Sequence, residues 1–554
     1  MPKSRPLVKT LLMLTVLMVG ITVVGATLRG RPSIRLLQDS RRPYAAPDFK
    51  MTLASLNSKL SVMAEEAEVA TAPKADALTI VRRISLALVG SGASFEEIRA
   101  LQAVPQAEQL QWWTSRLLED PRWADYFAQR LSRAYVGTAN GPFLLFRRRK
   151  FNAWLSEQLA EDAGYDKIVH AMISAEGLWT DTPQVNFVTA TMDEANNARG
   201  DPIRLAGRTS RAFLAQRIDC LQCHDDFIDR LNFGSAEEPT PGIQEHFHAV
   251  AAFYAGASAK SPFQGIVEDS QKYRFEFLGE SGEREVTPEV PFRSDLLPAD
   301  GKPRQRLAQW VTHPENRAFS RAAVNRVWAL MFSRPLVEPV DDIPIGAPVP
   351  AALDLLADDF ASHGFSIKRL IRLIVESDAF QRDSRADFEV LEKHEQCWAV
   401  FPISQLRPEQ VAGSLFQACT LTALDSTSSI FIQLKVFGDT QDFLKRFGDR
   451  GEDDFEADAV TIPQRLIMMN GNIITERTKV DLVANAATRI ATMVRDNSAV
   501  VEATFLAALN RYPSASEATH FNKFLDDKYG NERSRAVSDL YWAMMNSTEF
   551  SWNH

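Results

Sequence analysis

The chain contains a C-x-x-C-H pattern at Cys220, Cys223 and His224. Two thiols at this spacing can add across the two vinyl groups of a haem, because one helical turn places both on the same porphyrin edge. The histidine that follows then gives its imidazole to the iron. Only four cysteines occur in the whole chain, and two of them lie here. The pattern therefore predicts covalent haem c, attached through the two thiols and ligated by His224.

Three other interpretations of the same residues stand beside this one. Cys220 and Cys223 could form a local disulfide or a redox-active pair in an oxidising compartment. They could instead be half of a zinc site completed by His224 and one carboxylate. The candidates for the remaining zinc ligands are Asp225, Asp226, Asp229 and the pair His246 and His248. Finally, the two cysteines could be purely structural.

The segment before the motif predicts the helix that delivers it, starting at Asp201-Pro202. Leu214, Ile218 and Leu221 repeat at i, i+4 and i+7 and should share one face. Arg204, Arg208 and Arg211 repeat at the same spacing on another face. A haem carries two propionates that need cationic partners, which makes these three arginines candidates for them. The alternative is a solvated arginine face paired with local aspartates.

The segment after the motif, residues 245–254, predicts a helix that packs back on it. His248 is the first candidate for the opposite axial ligand of the iron, and His246 is the second. A buried histidine that bonds to a carbonyl is the commoner fate of such a residue. A five-coordinate iron with an open distal face is a further alternative.

Composition limits the class of protein. A chain of 554 residues predicts roughly three or more domains. An apolar fraction of 45% with 24% charged residues is ordinary for a folded body. The net charge of -9 argues against a nucleic-acid-binding protein, whose domain would normally be basic.

The N-terminus indicates export. Lys3, Arg5 and Lys9 precede an uncharged, mostly apolar run from Leu11 to Leu28, close to the ~20 residues needed to cross a bilayer. We expect a signal-anchor that leaves the body on the periplasmic or cell-surface side of the inner membrane. A signal peptide cleaved after Ala26, with secretion of the mature protein, is the alternative.

Periodicity predicts a mainly α, multi-helical body with one small β-hairpin insertion. Helix starts are indicated at Ser94 and at Asp120-Pro121, and the alternation at 273–277 followed by glycines predicts the hairpin. The predicted division is residues 1–35 as signal-anchor or signal peptide, 36–75 as a tether, 76–260 as a helical domain with the motif, 261–300 as the hairpin insertion, 301–385 as a second helical domain and 386–554 as a C-terminal helical domain.

Several segments together resemble an exported bacterial family that joins the second planctomycete cytochrome domain to the first planctomycete-specific domain. The resemblance runs from about residue 76 to the C-terminus and is carried by residues 81–86, 220–225, 324–328, 336–342, 462–464, 469–471 and 546–554. It implies a mostly helical exported protein with a C-x-x-C-H motif, and some members carry a further cytochrome c domain in front. The family has no established activity. Its genes often lie beside those of exported sulfatase-like proteins, which suggests such a protein as a partner.

The chain also departs from the family pattern. Asp226 and Phe227 stand where the family usually has His and Pro, so a histidine ligand at that position would be missing here. Position 248 agrees with the family's Asp-Phe-His pattern, whereas His246 does not. A front cytochrome domain is not expected, because residues 36–75 are short and lack a second C-x-x-C-H; electron transfer would then require another protein.

The remaining candidates point mainly to structure. Cys397 and Cys419 are expected to be small buried residues, with a disulfide between them as the alternative. Asp341 and Asp342 could bind calcium or act as acid and base, but capping and turn bonding are the expected roles. The sequence contains no G-x-S-x-G, Walker, Rossmann or H-E-x-x-H pattern, so no enzyme class is assigned.

Two functions from different classes follow. The first is a membrane-anchored c-type haem protein that passes electrons to, or senses, a redox partner protein. The second is an exported helical scaffold with a structural C-x-x-C-H that docks a hydrolase or a surface glycan.

Overall fold

The computed structural model describes residues 42–138, 146–192, 199–228, 230–235, 237–259, 264–425, 427–448, 455, 461–482 and 485–554. The predicted signal-anchor lies outside these residues. Within them, no helix is both long enough and apolar enough to cross a bilayer. Arg41–His554 forms one compact unit; the finer domain boundaries stay a prediction.

Helices dominate the described residues, with 59% helix and 4% strand, which confirms the predicted mainly α class. In the N-terminal part the helices are α1 (Arg42–Ala45), α2 (Pro47–Glu66), α3 (Ala77–Val89), α4 (Phe95–Gln102), α5 (Gln109–Leu118), α6 (Pro121–Val136), α7 (Arg148–Ala160), α8 (Tyr165–Ser174), α9 (Asn186–Thr189), α10 (Pro202–Leu214) and α11 (Gln244–Ala252). Short 3₁₀ turns occupy Gln106–Glu108, Pro183–Val185, Asp219–Gln222 and Ser294–Leu296.

The C-terminal part continues the helical pattern. Its helices are α12 (Pro303–Val311), α13 (Arg317–Phe332), α14 (Ala351–Ser362), α15 (Ile367–Glu376), α16 (Asp378–Gln381), α17 (Glu392–Gln396), α18 (Pro408–Ala418), α19 (Ile430–Phe447), α20 (Ile462–Asn470), α21 (Asn472–Thr478), α22 (Ala486–Met493), α23 (Asn497–Leu509), α24 (Ala515–Leu525), α25 (Gly530–Met545) and α26 (Thr548–Ser551). Apolar side chains of α18 to α25 form a continuous core.

The strands form three antiparallel two-stranded sheets in the described residues. They are β1 (Ala257–Ser258) with β2 (Val267–Glu268), β3 (Arg274–Phe275) with β4 (Arg284–Glu285), and β5 (Ser404–Gln405) with β6 (Trp552–Asn553). The β3–β4 pair is the predicted hairpin. The expectation of a single β-element was wrong, because strands of two residues are too short to produce a visible alternation.

Helix starts agree with the capping signals in the sequence. At Ser94 the side chain accepts the Glu97 N–H, and the Glu97 side chain accepts the Ser94 N–H, so both halves of a capping box are present. Asp120 accepts the Arg122 N–H at the start of α6. Asp201 accepts the N–H groups of Ile203 and Arg204 at the start of α10. These bonds satisfy backbone donors that the first helical turn leaves unpaired.

Helix α2 lies within the predicted tether over residues 36–75, where a short helix near 51–66 is expected, and it packs against the body. Phe49, Leu56 and Leu60 are buried, and the helix packs against α14 and α15. The Thr52 hydroxyl donates to Asp359 at 2.9 Å. The stripe of apolar residues on α2 is therefore one face of the core.

Two consecutive arginines of α3 bind the C-terminal segment. Arg82 donates to the carbonyls of Glu549 and Phe550, both at 3.2 Å. Arg83, which is fully buried, donates to the carbonyls of His554, Phe380 and Arg382 at 2.8, 3.0 and 2.6 Å. Through the bonds to Glu549, Phe550 and His554, the two guanidinium groups hold the segment that carries β6 against α3.

The helix that precedes the motif is shorter than the sequence predicts. Helix α10 ends at Leu214, since Ala215 adopts a left-handed conformation with φ 49°. Leu214, Ile218 and Leu221 are all buried, but Ile218 and Leu221 follow the helix instead of continuing it. The motif therefore lies on a separate turn, Asp219–Gln222.

The loop at 336–343 packs against the end of α10. Asn325 of α13 donates to the Val337 carbonyl at 2.9 Å and accepts the Val337 N–H at 3.0 Å. Ile343 donates its N–H to the Ala215 carbonyl at 2.8 Å. These bonds place Asp341 and Asp342 beside the chain segment that leads into the motif.

Candidate functional site

The motif turn directs its side chains to three sides. In a 3₁₀ turn, residues three apart share one side. Leu221 is fully buried and anchors the turn in the core. Asp219 and Gln222 line a large cavity, whereas Cys220 and Cys223 are both exposed. The Cys223 N–H donates to the Cys220 carbonyl at 3.3 Å, so the two thiols lie one turn apart on the solvent side.

His224 is oriented as an available ligand. Its Nδ1 lies 2.6 Å from the Asp225 carbonyl oxygen. A carbonyl can only accept, so Nδ1 carries the proton and Nε2 has its lone pair free. The residue is exposed. A backbone carbonyl on one ring nitrogen is the arrangement that fixes the tautomer of ligating histidines in proteins.

Exposed apolar side chains adjoin the motif. Phe227 is 75% exposed and Ile228 is 78% exposed. The Phe227 ring stacks beside the His224 ring, with centroids 5.4 Å apart. Both apolar side chains are therefore available on the same side of the chain as the His224 ring.

The four cysteines are free thiols in the structure. Burial and the nearby charge of Asp226 raise the pKa of Cys220. A redox-active C-x-x-C needs a lowered thiol pKa, so this environment disfavours that interpretation. Cys419 is buried as expected, and burial raises its pKa to about 12; Cys397 is half-buried.

The two aspartates after His224 organise the loop that follows. Asp225 accepts the Gln244 N–H at 2.7 Å, and Asp226 accepts the N–H groups of Ile228 and Leu231 at 3.2 and 2.5 Å. Burial alone would raise the pKa of Asp226, but these backbone donors outweigh it and lower the pKa. Asp226 thus serves as a loop-stabilising carboxylate.

A preformed metal cluster is not found among the residues that the structure describes: none of their His, Cys, Asp and Glu side chains form a group of three or more. Asp229, one of the candidate zinc ligands, lies outside the described residues. The zinc alternative stays a prediction.

His248 is fully buried and packs against the motif turn. Its Nε2 lies 3.1 Å from the Gln222 carbonyl oxygen and its Nδ1 lies 2.8 Å from the Tyr273 hydroxyl. Nε2 must therefore carry the proton, and Nδ1 accepts from the hydroxyl. The ring also stacks on Phe275 with centroids 3.5 Å apart. As an axial ligand His248 would first have to lose one of these bonds, and that role stays a prediction.

His246, the second candidate, is half-buried. Its Nδ1 accepts the Ile243 N–H at 3.2 Å, and its ring meets Phe233 edge-on at 5.1 Å. Burial lowers the pKa of the His246 imidazole. The described contacts make it a capping residue of α11.

The arginines of α10 line the large cavity, whose volume is about 990 Å³. Arg204, Arg208 and Arg211 contribute from α10, and three further arginines contribute from other segments. The six are Arg204, Arg208, Arg211, Arg217, Arg326 and Arg334. Four carboxylates also line it: Asp219, Asp341, Glu338 and Glu395. Neither cysteine is among the described lining residues, so the structure places the arginine stripe and the thiols on different sides of one turn.

Ion pairs hold the motif segment to the loop at 336–343. Arg217 Nε lies 2.7 Å from Asp341 Oδ1, and Arg211 Nε lies 3.5 Å from Asp341 Oδ2 and 3.1 Å from Asp219 Oδ2. Asp342 pairs with Arg230. The two aspartates therefore act as ion-pair partners, which corrects the expected capping role.

The residues at the motif fit covalent haem. Two exposed thiols lie one turn apart, an exposed histidine keeps Nε2 available, and apolar side chains adjoin them. Arg204, Arg208 and Arg211 are close enough to the motif in sequence to bind the haem propionates, but they line the cavity and not the solvent side that carries the thiols.

Sequence reasoning missed Arg217, Arg326 and Trp552 as cavity residues. Arg217 lies three residues before Cys220, and an arginine that follows three arginines at helical spacing was a usable signal. Trp552 had none, because it reaches the cavity only through the β5–β6 pairing.

Comparison with known families agrees with the resemblance. The family model PSCyt2, described as a protein of unknown function (DUF1549), matches residues 56–236. The family model PSD1, described as a protein of unknown function (DUF1553), matches residues 303–429. The two matches cover more than half of the chain in the expected order, and the chain belongs to the planctomycete cytochrome-type family of unknown function that joins these domains. No curated protein matches, and no solved structure matches.

Proposed function

We propose that the chain is an exported c-type haem protein with an electron-transfer or redox-partner role. The observation that carries the proposal is the combination of two exposed thiols on one side of a turn with a histidine whose Nε2 is available. Cys220 and Cys223 would hold the haem covalently, and His224 would ligate its iron. When bound, the group would supply one-electron redox chemistry.

The other residues of the motif segment position these three. Leu221 anchors the turn in the core, and Asp225 and Asp226 fix the following loop by accepting backbone N–H groups. Phe227 and Ile228 would shield an apolar ring from water. Exclusion of water matters because burial and dielectric help to set a redox potential.

Location and partners are part of the proposal. The N-terminal segment would hold the body on the periplasmic or cell-surface side of the inner membrane, or be cleaved on secretion. Electrons would be exchanged with a separate redox partner protein. An exported sulfatase-like protein is the second proposed partner.

The test uses full-length protein produced with haem-maturation machinery. A denaturing gel stained for haem should show colour on the polypeptide, because thioether attachment survives denaturation. Cys220→Ser and Cys223→Ser should lose most or all of the colour. Cys397→Ser is the matched control, since Cys397 is a half-buried cysteine outside the motif, and it should keep full colour.

The spectrum of the native protein tests the axial ligands. His224→Ala should lose the ordinary haem c spectrum even where thioether attachment persists. If His248 completes the coordination, His248→Ala converts a low-spin spectrum to high-spin. A wild-type spectrum that is already high-spin indicates that His248 keeps its bonds to Gln222 and Tyr273.

The alternative function, a scaffold with a structural C-x-x-C-H, is favoured by one observation: hydrogen bonds from Gln244 to Asp225 and to the Gln222 carbonyl hold the motif loop against the start of α11. Colourless wild-type protein with stoichiometric zinc by elemental analysis would refute the haem proposal in favour of this alternative.

A further inference from the structure

The arginine-lined cavity is a second feature that the haem proposal does not use. It has a volume of about 990 Å³, at the upper end of the range for cavities that hold small organic ligands. Its walls come from α10, the motif turn, α13, the loop at 336–343 and the β5–β6 pair. Because Asp219 and Gln222 face it while the cysteines face solvent, its contents would not contact the thiols directly.

The charge of the described lining is positive in an acidic protein. Six arginines face four carboxylates, although the chain as a whole carries a net charge of -9. A concave surface with one sign of charge focuses the electrostatic field and concentrates ligands of the opposite sign. The cavity therefore favours an anion.

Two of these arginines have no carboxylate partner within the described part of the chain. Arg211, Arg217 and Arg334 are neutralised by ion pairs with Asp219, Asp341 and Glu338. Arg204, by contrast, donates to the Thr191 carbonyl at 3.3 Å, and no ion pair to a described carboxylate is formed by Arg326. Their guanidinium groups are available for an oxyanion, which they can bind through two parallel N–H donors.

The positive charges extend over a row. Arg204, Arg208 and Arg211 lie on one face of α10, and seven residues of helix span about 10 Å. Arg326 stands on the neighbouring helix α13. A single inorganic ion could meet only one of these positions, whereas a ligand with several anionic groups could reach both Arg204 on α10 and Arg326 on α13.

The rest of the wall is apolar or weakly polar. Phe332, Pro335 and Trp552 line it together with Ser404 and Gln405. Aromatic and proline surfaces pack against the carbon skeleton of an organic ligand, while hydroxyl and amide groups fix its orientation.

We propose that this cavity is a binding site for an organic polyanion, a molecule that carries two or more carboxylate, phosphate or sulfate groups. Arg204 and Arg326 bind the anionic groups, and Trp552 packs against the body of the ligand. The site is distinct from the thiol side of the motif turn and does not depend on haem attachment.

The test is isothermal titration of full-length Cys220→Ser/Cys223→Ser protein, in which thioether attachment is removed. The probes are a trigalacturonate, a sulfated disaccharide and inositol hexakisphosphate, with maltotriose as the neutral comparison. They separate carboxylate, sulfate and phosphate as sources of the charge. At low salt at least one polyanion should bind, maltotriose should not, and raising the salt should weaken the binding through screening.

Variants then assign the binding to the cavity. Arg204→Gln/Arg326→Gln should weaken it by at least about tenfold, as expected for the loss of charge-assisted hydrogen bonds. The affinity of Arg204→Lys/Arg326→Lys should lie between those of the parent protein and the glutamine variant, because lysine keeps the charge but lacks the two parallel N–H donors of a guanidinium group. Arg535→Gln, an exposed helical arginine outside the cavity, should bind as the parent does. Circular dichroism checks that each variant is folded.

Two outcomes would overturn the inference: none of the polyanions binds, or the cavity variants and Arg535→Gln bind equally well. If no polyanion binds and Arg204→Gln/Arg326→Gln lowers the haem content of the protein with intact cysteines, the arginines are propionate partners instead. A colourless wild-type protein that still binds a polyanion would instead refute the haem proposal alone.

Discussion

Asp341 offers a test in which stability and ligand binding should change in opposite directions. Its side chain is 9% exposed and pairs with Arg217 at 2.7 Å and with Arg211 at 3.5 Å. Asp341→Asn keeps the size of the side chain and one acceptor oxygen but removes the charge. We expect the folded state to lose stability while the cavity becomes more positive.

The magnitude follows from the exposure of the partners. A charge-assisted hydrogen bond contributes about 1.5–3 kcal/mol, and the Arg217 side chain is 26% exposed, so solvent screening reduces this value. Asp341→Asn should lower the free energy of unfolding by about 1–2 kcal/mol. Removing a negative charge from the cavity wall should tighten polyanion binding by roughly threefold to tenfold.

The adjacent aspartate provides the control. Asp342 pairs with Arg230, whose side chain is 54% exposed, so Asp342→Asn should cost no more than about 0.5 kcal/mol. Urea unfolding followed by circular dichroism measures both variants. A double-mutant cycle with Arg217→Gln measures the coupling within the pair.

Two results would refute this reasoning. Equal stability of Asp341→Asn and Asp342→Asn, or a coupling energy near zero with Arg217→Gln, would show that the ion pair does not hold the motif segment. Weaker polyanion binding in Asp341→Asn would show that the shape of the cavity outweighs its charge.

Three further predictions concern the body that supports the site. His248→Phe should be less stable than His248→Gln, because phenylalanine leaves the Tyr273 hydroxyl without its acceptor, at a cost of about 1–3 kcal/mol. The Gln222 carbonyl keeps a second donor in the Gln244 side chain and adds little to the difference. Urea unfolding that ranks the two variants in the reverse order would contradict this. Arg83→Met should lower the free energy of unfolding by at least about 3 kcal/mol, since three carbonyls lose their donor. The exposed control Arg99→Met should change it by no more than about 0.5 kcal/mol. Equal losses of the two variants in urea unfolding would show that the Arg83 hydrogen bonds do not stabilise the fold. Burial, assisted by neighbouring arginine charge, lowers the pKa of His554 to about 4. Its contribution to stability is therefore complete above its unfolded pKa of about 6.5 and declines as the pH falls towards 4. The free energy of unfolding, measured between pH 7.5 and 4.5, should show this decline more weakly in His554→Gln, and an equal pH dependence of both proteins would count against it.

Local signals in the sequence were sufficient to predict where several helices begin and where the hairpin lies. The capping box at Ser94, the Asp120-Pro121 start and the Asp201 cap all appear in the structure, because a cap depends on residues within one helical turn. The alternation at 273–277 marked the hairpin for the same reason. The pairing of two exposed cysteines with His224 also followed from spacing alone.

The end of α10 at Leu214 was decided by the fold. Ala215 is an ordinary helix former, yet it adopts φ 49°, where its carbonyl accepts the Ile343 N–H at 2.8 Å. That bond comes from a residue far along the chain and leaves no local pattern. It turns the motif away from the helix and so separates the thiols from the arginine stripe.

What the sequence by itself determined is thus the helical class, the family and the spacing that brings Cys220, Cys223 and His224 together, because each depends on residue types within a few positions. Only the tertiary structure decided that both nitrogens of His248 are bonded and that Arg326, Asp341 and Trp552 meet the α10 arginines around one cavity. The physical reason is distance along the chain: hydrogen bonds, ion pairs and strand pairing between remote segments depend on the packing of the whole body.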